Sequence, residues 1–213
     1  MGKNESKDVK VRTMLPEFIK TAYETLLVPL INLLVKLKVH PSYITTTGMV
    51  VTGIAAFFLA RGHLLTGGIL VLVGGTFDIL DGKVARATGY ASRFGALLDS
   101  TLDRYSEVFA FFGVGFYFVA QEMYLSSIFT FIALGGSMMV SYIRARSEGL
   151  GYDCKVGIMQ RPERVVAIGF GAIFGESFLV GAMVIIAVFA NITAIQRVLT
   201  IWRIDNKSKK DIK

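Results

Sequence analysis

Long stretches without a charged residue are the feature that most limits what this chain of 213 residues can fold into. Six such stretches follow one another, at residues 39–60, 64–77, 108–121, 123–143, 165–175 and 177–196. A helix that crosses a bilayer needs about 20 residues, so the three shorter stretches must extend into the neighbouring charged segments, 78–86 and 95–107. The pattern predicts an all-α integral membrane protein with a six-helix transmembrane bundle at 39–203.

Composition supports a membrane protein and excludes several other classes. Hydrophobic residues make up 53% of the chain and charged residues 18%, whereas soluble domains contain about 25% charged residues. Such a chain is neither a disordered tail nor a nucleic-acid-binding arm, so the expected partner is the lipid bilayer and no nucleic acid. The single cysteine, Cys154, excludes an internal disulfide framework and a cysteine-based metal cluster.

The distribution of positive charge predicts the orientation in the membrane. If the N-terminus is cytoplasmic, the predicted outer loops contain Arg61 as their one Lys or Arg, and the other 22 of the 23 lie on the inner side. Cytoplasmic loops carry an excess of Lys and Arg. We therefore expect a multi-pass protein of the cytoplasmic membrane with both termini inside.

The segment 16–38 differs from the six predicted spans. Its leucines recur at helical spacing between flanking lysines, at Leu26, Leu27, Leu30, Leu33, Leu34 and Leu37. A short apolar face bounded by Lys is typical of an amphipathic helix that lies in the membrane interface. A signal peptide is the alternative, but no small-residue cleavage site follows. We predict an interfacial helix joined to the bundle, and one domain over 1–213.

Four aspartates interrupt the apolar pattern. Asp78 and Asp81 are three residues apart, and Asp99 and Asp103 are four apart, so each pair projects from one face of its helix. A short turn containing Gly89 separates the two helices, which predicts antiparallel neighbours. The four carboxylates are then expected to converge at one depth, toward the cytoplasmic side.

Converging carboxylates repel one another unless a cation neutralises them. Oxygen ligands without His or Cys suit Mg²⁺ or Mn²⁺, and we expect one or two such ions. One alternative is a solvated helix end whose acids pair with Lys83, Arg86 and Arg104, but ionisable residues that interrupt apolar spans are usually functional. Another alternative is a small transporter lined by carboxylates, which would spread its acids across the membrane.

The spacing of these residues resembles the signature of the CDP-alcohol phosphotransferase family. The pattern D-x2-D-G-x2-A-R-x8-G-x3-D-x3-D has eight fixed positions, which are filled here by Asp78, Asp81, Gly82, Ala85, Arg86, Gly95, Asp99 and Asp103. An interfacial helix followed by six spans also resembles the family, so the similarity extends over nearly the whole chain.

This resemblance implies an enzyme of phospholipid synthesis, a CDP-alcohol phosphatidyltransferase. An acceptor hydroxyl would attack the β-phosphorus of a CDP-linked lipid, such as CDP-diacylglycerol or its ether analogue, and CMP would leave. Asp78, Asp81 and Asp99 would hold metal on the diphosphate, and Asp103 would act as general base and also contact a second ion. The nucleotide site would be lined by Gly82, Ala85, Arg86 and Thr45. A homodimer is expected by resemblance alone.

A second basic group lies in the predicted inner loop between the fourth and fifth spans, at Arg144, Arg146, Lys155, Arg161 and Arg164. These cations either signal topology and contact lipid headgroups or bind a phosphorylated acceptor. The stretch resembles the phosphatidylinositol-phosphate synthase branch, including its archaeal archaetidylinositol-phosphate counterparts. That resemblance implies inositol 1-phosphate as acceptor, with its phosphate held by Arg144, Arg161 and Arg203. Glycerol 3-phosphate, which presents the same phosphate, is the alternative acceptor.

Overall fold

A computed structural model describes residues 17–154 and 156–211 of the chain. The described residues form helices and connecting loops without strands. The helices are α1 Glu17–Lys36, α2 Pro41–Ala60, α3 Leu64–Thr88, α4 Arg93–Ala120, α5 Tyr124–Gly149, α6 Arg161–Phe174 and α7 Glu176–Asp211. The predicted all-α architecture is confirmed over this part of the chain.

Four of the helices are long and apolar enough to cross a membrane: α2, α3, α5 and the 176–206 part of α7. This agrees with an integral membrane protein. Among the described residues, α4 and α6, which also coincide with predicted spans, are not both long and apolar enough to cross a membrane. Helix α4 carries Asp99, Asp103 and Glu107. Helix α6 has 14 residues, about 21 Å of helix against a bilayer core of about 30 Å.

A short connection between α3 and α4 reverses the chain. Gly89 ends α3 with a φ of 74°, in the left-handed region that glycine adopts without strain. Ser92 caps the N-terminus of α4, and its Oγ accepts a hydrogen bond of 2.9 Å from the backbone N–H of Gly95. A Cβ on residue 95 would lie 3.0 Å from that oxygen. Gly95, one of the eight signature positions, therefore leaves room for the helix cap.

The packing of α3 and α4 differs from the expected neighbouring pair. Helix α2 packs extensively along both of them, whereas α3 and α4 touch each other at few positions. The tight turn reverses the direction of the chain, but the helices diverge from it because α2 approaches both closely at small residues. Gly48 faces Phe77 of α3, and Gly113 faces the backbone of Ala56. A cleft between α3 and α4 results.

Helix α1 packs against α3 at one end of the bundle. Leu27 of α1 belongs to a small buried cluster with Ile44, Leu80 and Val84, separate from the main core, to which all helices from α2 to α7 contribute. Two polar contacts accompany it: Lys83 Nζ lies 2.6 Å from Glu24 Oε2, and Tyr23 and Thr76 share a hydrogen bond of 2.6 Å. Other leucines of α1 are exposed, Leu26 at 73%, as expected for a helix that contacts lipid.

Candidate active site

The four predicted aspartates line the cleft between α3 and α4. Asp78 and Asp81 lie in the second half of α3, and Asp99 and Asp103 lie in the first half of α4. Each acid interacts electrostatically with at least one acid of the other pair. Asp81 is 2% exposed, whereas Asp99 is half-buried. Acids of the two helices therefore lie within electrostatic range of each other, although they come from helices that diverge.

Arg161, from the start of α6, reaches into the same cleft. Its Nη1 donates a hydrogen bond to Asp78 Oδ2, and its Nη2 lies 3.0 Å from Asp103 Oδ1. A second guanidinium is farther away, with Arg104 Nη1 at 3.6 Å from Asp103 Oδ2. The residue expected to hold an acceptor phosphate thus lies directly between one acid of α3 and one acid of α4.

The chemistry of the acids fits a divalent cation. Both carboxylate oxygens of Asp81 are buried and accept no hydrogen bond from the described residues. The hydroxyl of Thr45 lies beside this carboxylate, but it donates its hydrogen to the carbonyl oxygen of Pro41 at 3.1 Å. Such orphaned carboxylate oxygens suit a hard cation. Within the described part of the chain, no three acidic, His or Cys side chains are arranged around one point as an ion would require.

The predicted nucleotide-binding residues lie on one side of the acids. The guanidinium nitrogens of Arg86 lie 3.6 Å from the point that a Cβ on Gly82 would occupy. A Cβ at position 82 would therefore make an ordinary van der Waals contact with Arg86. Arg86 is exposed, Ala85 is half-buried and Thr45 is buried. Gly82, Ala85 and Arg86 thus form one turn of α3 next to Asp81.

The remaining predicted cations are less closely associated with the acids. Arg144 is exposed and pairs with Glu148 at 2.9 Å, one turn along α5. Arg203 is exposed on α7, and the structure does not bring it together with the acids. Lys155, another cation of this group, lies outside the described residues.

Comparison with known proteins places this site in a family. Residues 38–202 match the family model of the CDP-alcohol phosphatidyltransferases. The matched segment includes all four aspartates. The chain belongs to the CDP-alcohol phosphatidyltransferase family. It is therefore a transferase of phospholipid biosynthesis, as predicted from the eight-position pattern, and the transporter alternative is set aside.

Relatives and solved structures cover most of the chain. It is 36% identical over 172 residues to an archaetidylinositol phosphate synthase of Methanothermobacter thermautotrophicus, across 79% of this chain and 86% of that protein. It is also 36% identical over 176 residues to a phosphatidylinositol phosphate synthase of Mycobacteroides abscessus, across 79% and 80%.

The fold resembles a Mycobacterium tuberculosis phosphatidylinositol phosphate synthase that was solved with CDP-DAG bound. The TM-score is 0.74 at 33% identity, over 82% of this chain and 92% of that one. A second structure of the M. tuberculosis enzyme contains manganese and citrate, with a TM-score of 0.73 at 32% identity over 82% and 88%.

One buried cation of this phosphatidyltransferase was not predicted from the sequence. Arg197 of α7 is 2% exposed, and its guanidinium donates to the carbonyl oxygens of Val156 and Val140 at 2.8 and 2.5 Å. It interacts electrostatically with Arg144. The available signal was its position directly after the uncharged stretch 177–196, since buried charges in spans are usually functional. Arg203 is six residues farther along, about 120° around the helix, and so faces elsewhere.

Proposed function

We propose that this phosphatidyltransferase transfers a phosphatidyl-type group from a CDP-linked lipid to a hydroxyl of inositol 1-phosphate, with release of CMP. The observation that carries the proposal is the similarity, over most of both chains, to relatives named as inositol phosphate synthases. The location of Arg161 supports a phosphorylated acceptor, because its guanidinium lies among the reacting acids. A neutral alcohol would not need a cation there.

Asp78, Asp81 and Asp99 are proposed to hold a divalent cation, Mg²⁺ or Mn²⁺, with the donor diphosphate. When bound, the ion supplies positive charge that offsets the charge of the departing CMP. The orphaned oxygens of Asp81 support this role.

The turn of α3 that follows Asp81 is proposed to bind the nucleotide half of the donor. Gly82 leaves room for the ligand, and Arg86 pairs with phosphate. Thr45 and Ala85 line the same site. The proximity of Arg86 to Gly82 supports this grouping.

Asp103 is proposed to act as the general base. Its carboxylate takes the proton of the acceptor hydroxyl as that oxygen bonds to the β-phosphorus, and the bond between this phosphorus and the CMP oxygen breaks. Arg161, 3.0 Å from Asp103 Oδ1, would hold the acceptor phosphate so that a hydroxyl of the same molecule reaches the base. A guanidinium suits this task because it stays charged and binds phosphate through two N–H groups.

Arg144 and Arg197 are proposed to complete the binding site for the acceptor phosphate. Arg197 is buried, with its N–H groups bound to backbone carbonyls, and makes no ion pair with a carboxylate in the described part of the chain. A buried positive charge without an acidic partner is costly. An anionic ligand nearby would offset that cost.

The membrane arrangement is part of the proposal. Helices α2 to α7 would cross the membrane with both termini cytoplasmic, α1 would lie in the interface, and the active site would face the cytoplasm. The strong excess of Lys and Arg on one side of the predicted spans supports this orientation. Glu122 lies in the loop between α4 and α5, which would then be outside. A single cysteine introduced there, in a Cys154→Ser background, is expected to react with a membrane-impermeant maleimide from outside intact cells.

The proposed activity can be tested with purified protein in detergent or in vesicles. Inositol 1-phosphate and glycerol 3-phosphate would be supplied in turn with CDP-diacylglycerol or its ether analogue and Mg²⁺ or Mn²⁺, and CMP release would be measured. We expect CMP with inositol 1-phosphate and the corresponding lipid phosphate product. Faster turnover with glycerol 3-phosphate would refute the proposed acceptor, and chelation of the divalent ion should stop release in either case.

A further inference from the structure

An ion pair outside the eight signature positions lies one helical turn beyond the proposed site. Arg164 of α6 and Glu107 of α4 have side chains that are 1% and 2% exposed. Arg164 Nε donates to Glu107 Oε1, and Arg164 Nη2 donates to Glu107 Oε2 at 3.0 Å. Stability alone does not account for such a pair, since apolar residues of similar size often stabilise as well or better. Ionisable groups inside a membrane bundle usually serve function.

The pair of Arg164 and Glu107 lies on the same helix faces as Arg161 and Asp103. Glu107 follows Asp103 by four residues on α4, and Arg164 follows Arg161 by three residues on α6. Residues three or four apart lie on the same helix face. Two successive contacts therefore link α6 to α4. The first joins Arg161 to Asp103, and the second joins Arg164 to Glu107. Because a helix is stiff over one turn, fixing the second link also fixes the first.

Arg164 also holds the loop that precedes α6. Its Nη1 donates to the carbonyl oxygen of Met159 at 3.2 Å, and the backbone N–H of Met159 donates to Thr193 Oγ1 of α7 at 3.1 Å. Gln160, the residue before α6, provides no side-chain cap for the helix. The start of α6, where Arg161 lies, is thus fixed by Arg164 rather than by a capping residue.

We propose that Glu107 and Arg164 are positioning residues that set the location of the Arg161 guanidinium for binding of the acceptor phosphate. The inference rests on the proposed function of Arg161. Neither residue needs to touch the acceptor, because Glu107 is occupied by Arg164 through both of its oxygens. Their effect passes through the first turn of α6.

The test separates positioning from stability by kinetics. A purely structural pair would, when weakened, lower the melting temperature and the amount of active enzyme without changing KM. A positioning pair would raise the KM for inositol 1-phosphate, since a displacement of about 1 Å can cost up to about a hundredfold. We expect Glu107→Gln to raise that KM about ten- to a hundredfold, with the KM for CDP-diacylglycerol within twofold of the wild type.

A double variant addresses the case in which the single one is unstable. Glu107→Leu with Arg164→Met replaces the pair by apolar side chains of similar size, which buried pairs often tolerate. We expect it to melt no lower than Glu107→Gln and still to show the raised acceptor KM. Glu176→Gln is the matched control, because it makes the same change in a glutamate that also contacts α4. This contact, a hydrogen bond that Glu176 accepts from Tyr117, lies at the other end of α4. It should leave both KM values unchanged.

Arg161→Ala, assayed in parallel, separates this inference from the proposed function. If Arg161→Ala raises the acceptor KM but Glu107→Gln and the double variant do not, the positioning role is refuted and the role of Arg161 stands. If Arg161→Ala itself leaves the acceptor KM unchanged, Arg161 does not bind the acceptor and both ideas fall. A raised acceptor KM in Arg161→Ala and in either pair variant supports both.

Discussion

Replacement of Gly113 by alanine tests the close approach of α2 and α4, which opens the cleft of the active site. A Cβ at position 113 would lie 2.5 Å from the carbonyl oxygen of Ala56 and 2.7 Å from its Cα. Ordinary contacts of a Cβ begin near 3.4 Å, so the shortfall is about 0.9 Å. The obstructing atoms are backbone atoms, which cannot rotate away as a side chain can. The two helices must separate instead.

Overpacking of this kind costs about 1–3 kcal/mol. Alanine also gains up to about 1 kcal/mol over glycine in a helix, which would mask part of the loss. Gly135→Ala provides the matched control, because Gly135 is also helical and a Cβ there meets no described atom within 4 Å. The difference between the two variants therefore isolates the clash. We expect Gly113→Ala to melt about 2–12 °C below Gly135→Ala, measured by thermal unfolding in one detergent.

Catalysis provides a second measurement of the same displacement. Helix α4 carries Asp99 and Asp103, and α2 carries Thr45, so separating these helices moves the acids of α4 away from the proposed nucleotide site. A shift near 1 Å can reduce the rate by as much as about a hundredfold. We expect kcat/KM to fall in Gly113→Ala and to stay near the wild-type value in Gly135→Ala. Equal melting temperatures and equal kcat/KM in the two variants would refute the argument that Gly113 sets the helix separation.

Three further predictions concern single side chains. Asp103→Asn should abolish CMP release while leaving CDP-lipid binding, measured by titration calorimetry in detergent, close to wild type; near-normal turnover would remove Asp103 from the role of base. Tyr117→Phe loses the 2.6 Å hydrogen bond to Glu176 and should lower the free energy of unfolding by about 1–2 kcal/mol with both KM values unchanged; an altered acceptor KM would contradict the structural role. Cys154 is 1% exposed, and burial raises the pKa of its thiol. It should therefore react with a maleimide much more slowly in the folded protein than after unfolding. Equal rates would show that the loop between α5 and α6 opens readily.

Local chemistry explains why the aspartates could be found from sequence. Their spacing on α3 and α4 follows helix periodicity, and their position against uncharged stretches marks them as unusual. Both properties belong to one segment of chain at a time. The positions of the helices were predictable for the same reason, because each uncharged stretch and each flanking charge is read locally.

The partners of the charged side chains were not predictable in this way. Arg161 lies 83 residues from Asp78 in sequence, and Arg164 lies 57 residues from Glu107. In sequence, Arg164 resembles any other cation on the inner side of a membrane protein, and Arg197 is distinguished only by its position directly after the uncharged stretch 177–196. Their burial depends on the rotation of α6 and α7 about their axes, which no local pattern specifies.

The packing of α3 and α4 shows the same limit. A short turn predicts that the chain reverses, but the choice of packing partner depends on the shapes of whole helix surfaces. Small residues let α2 approach both helices, Gly48 toward α3 and Gly113 on α4, and α2 therefore packs along each of them.

The sequence by itself determined the class of protein, the helices and the acidic residues, because hydropathy and helix periodicity are properties of contiguous segments. Only the tertiary structure decided which charges meet, since an ion pair between helices depends on their separation and relative rotation. Arg161 between Asp78 and Asp103, with Arg164 and Glu107 one turn beyond, is the arrangement that the fold adds to the sequence pattern.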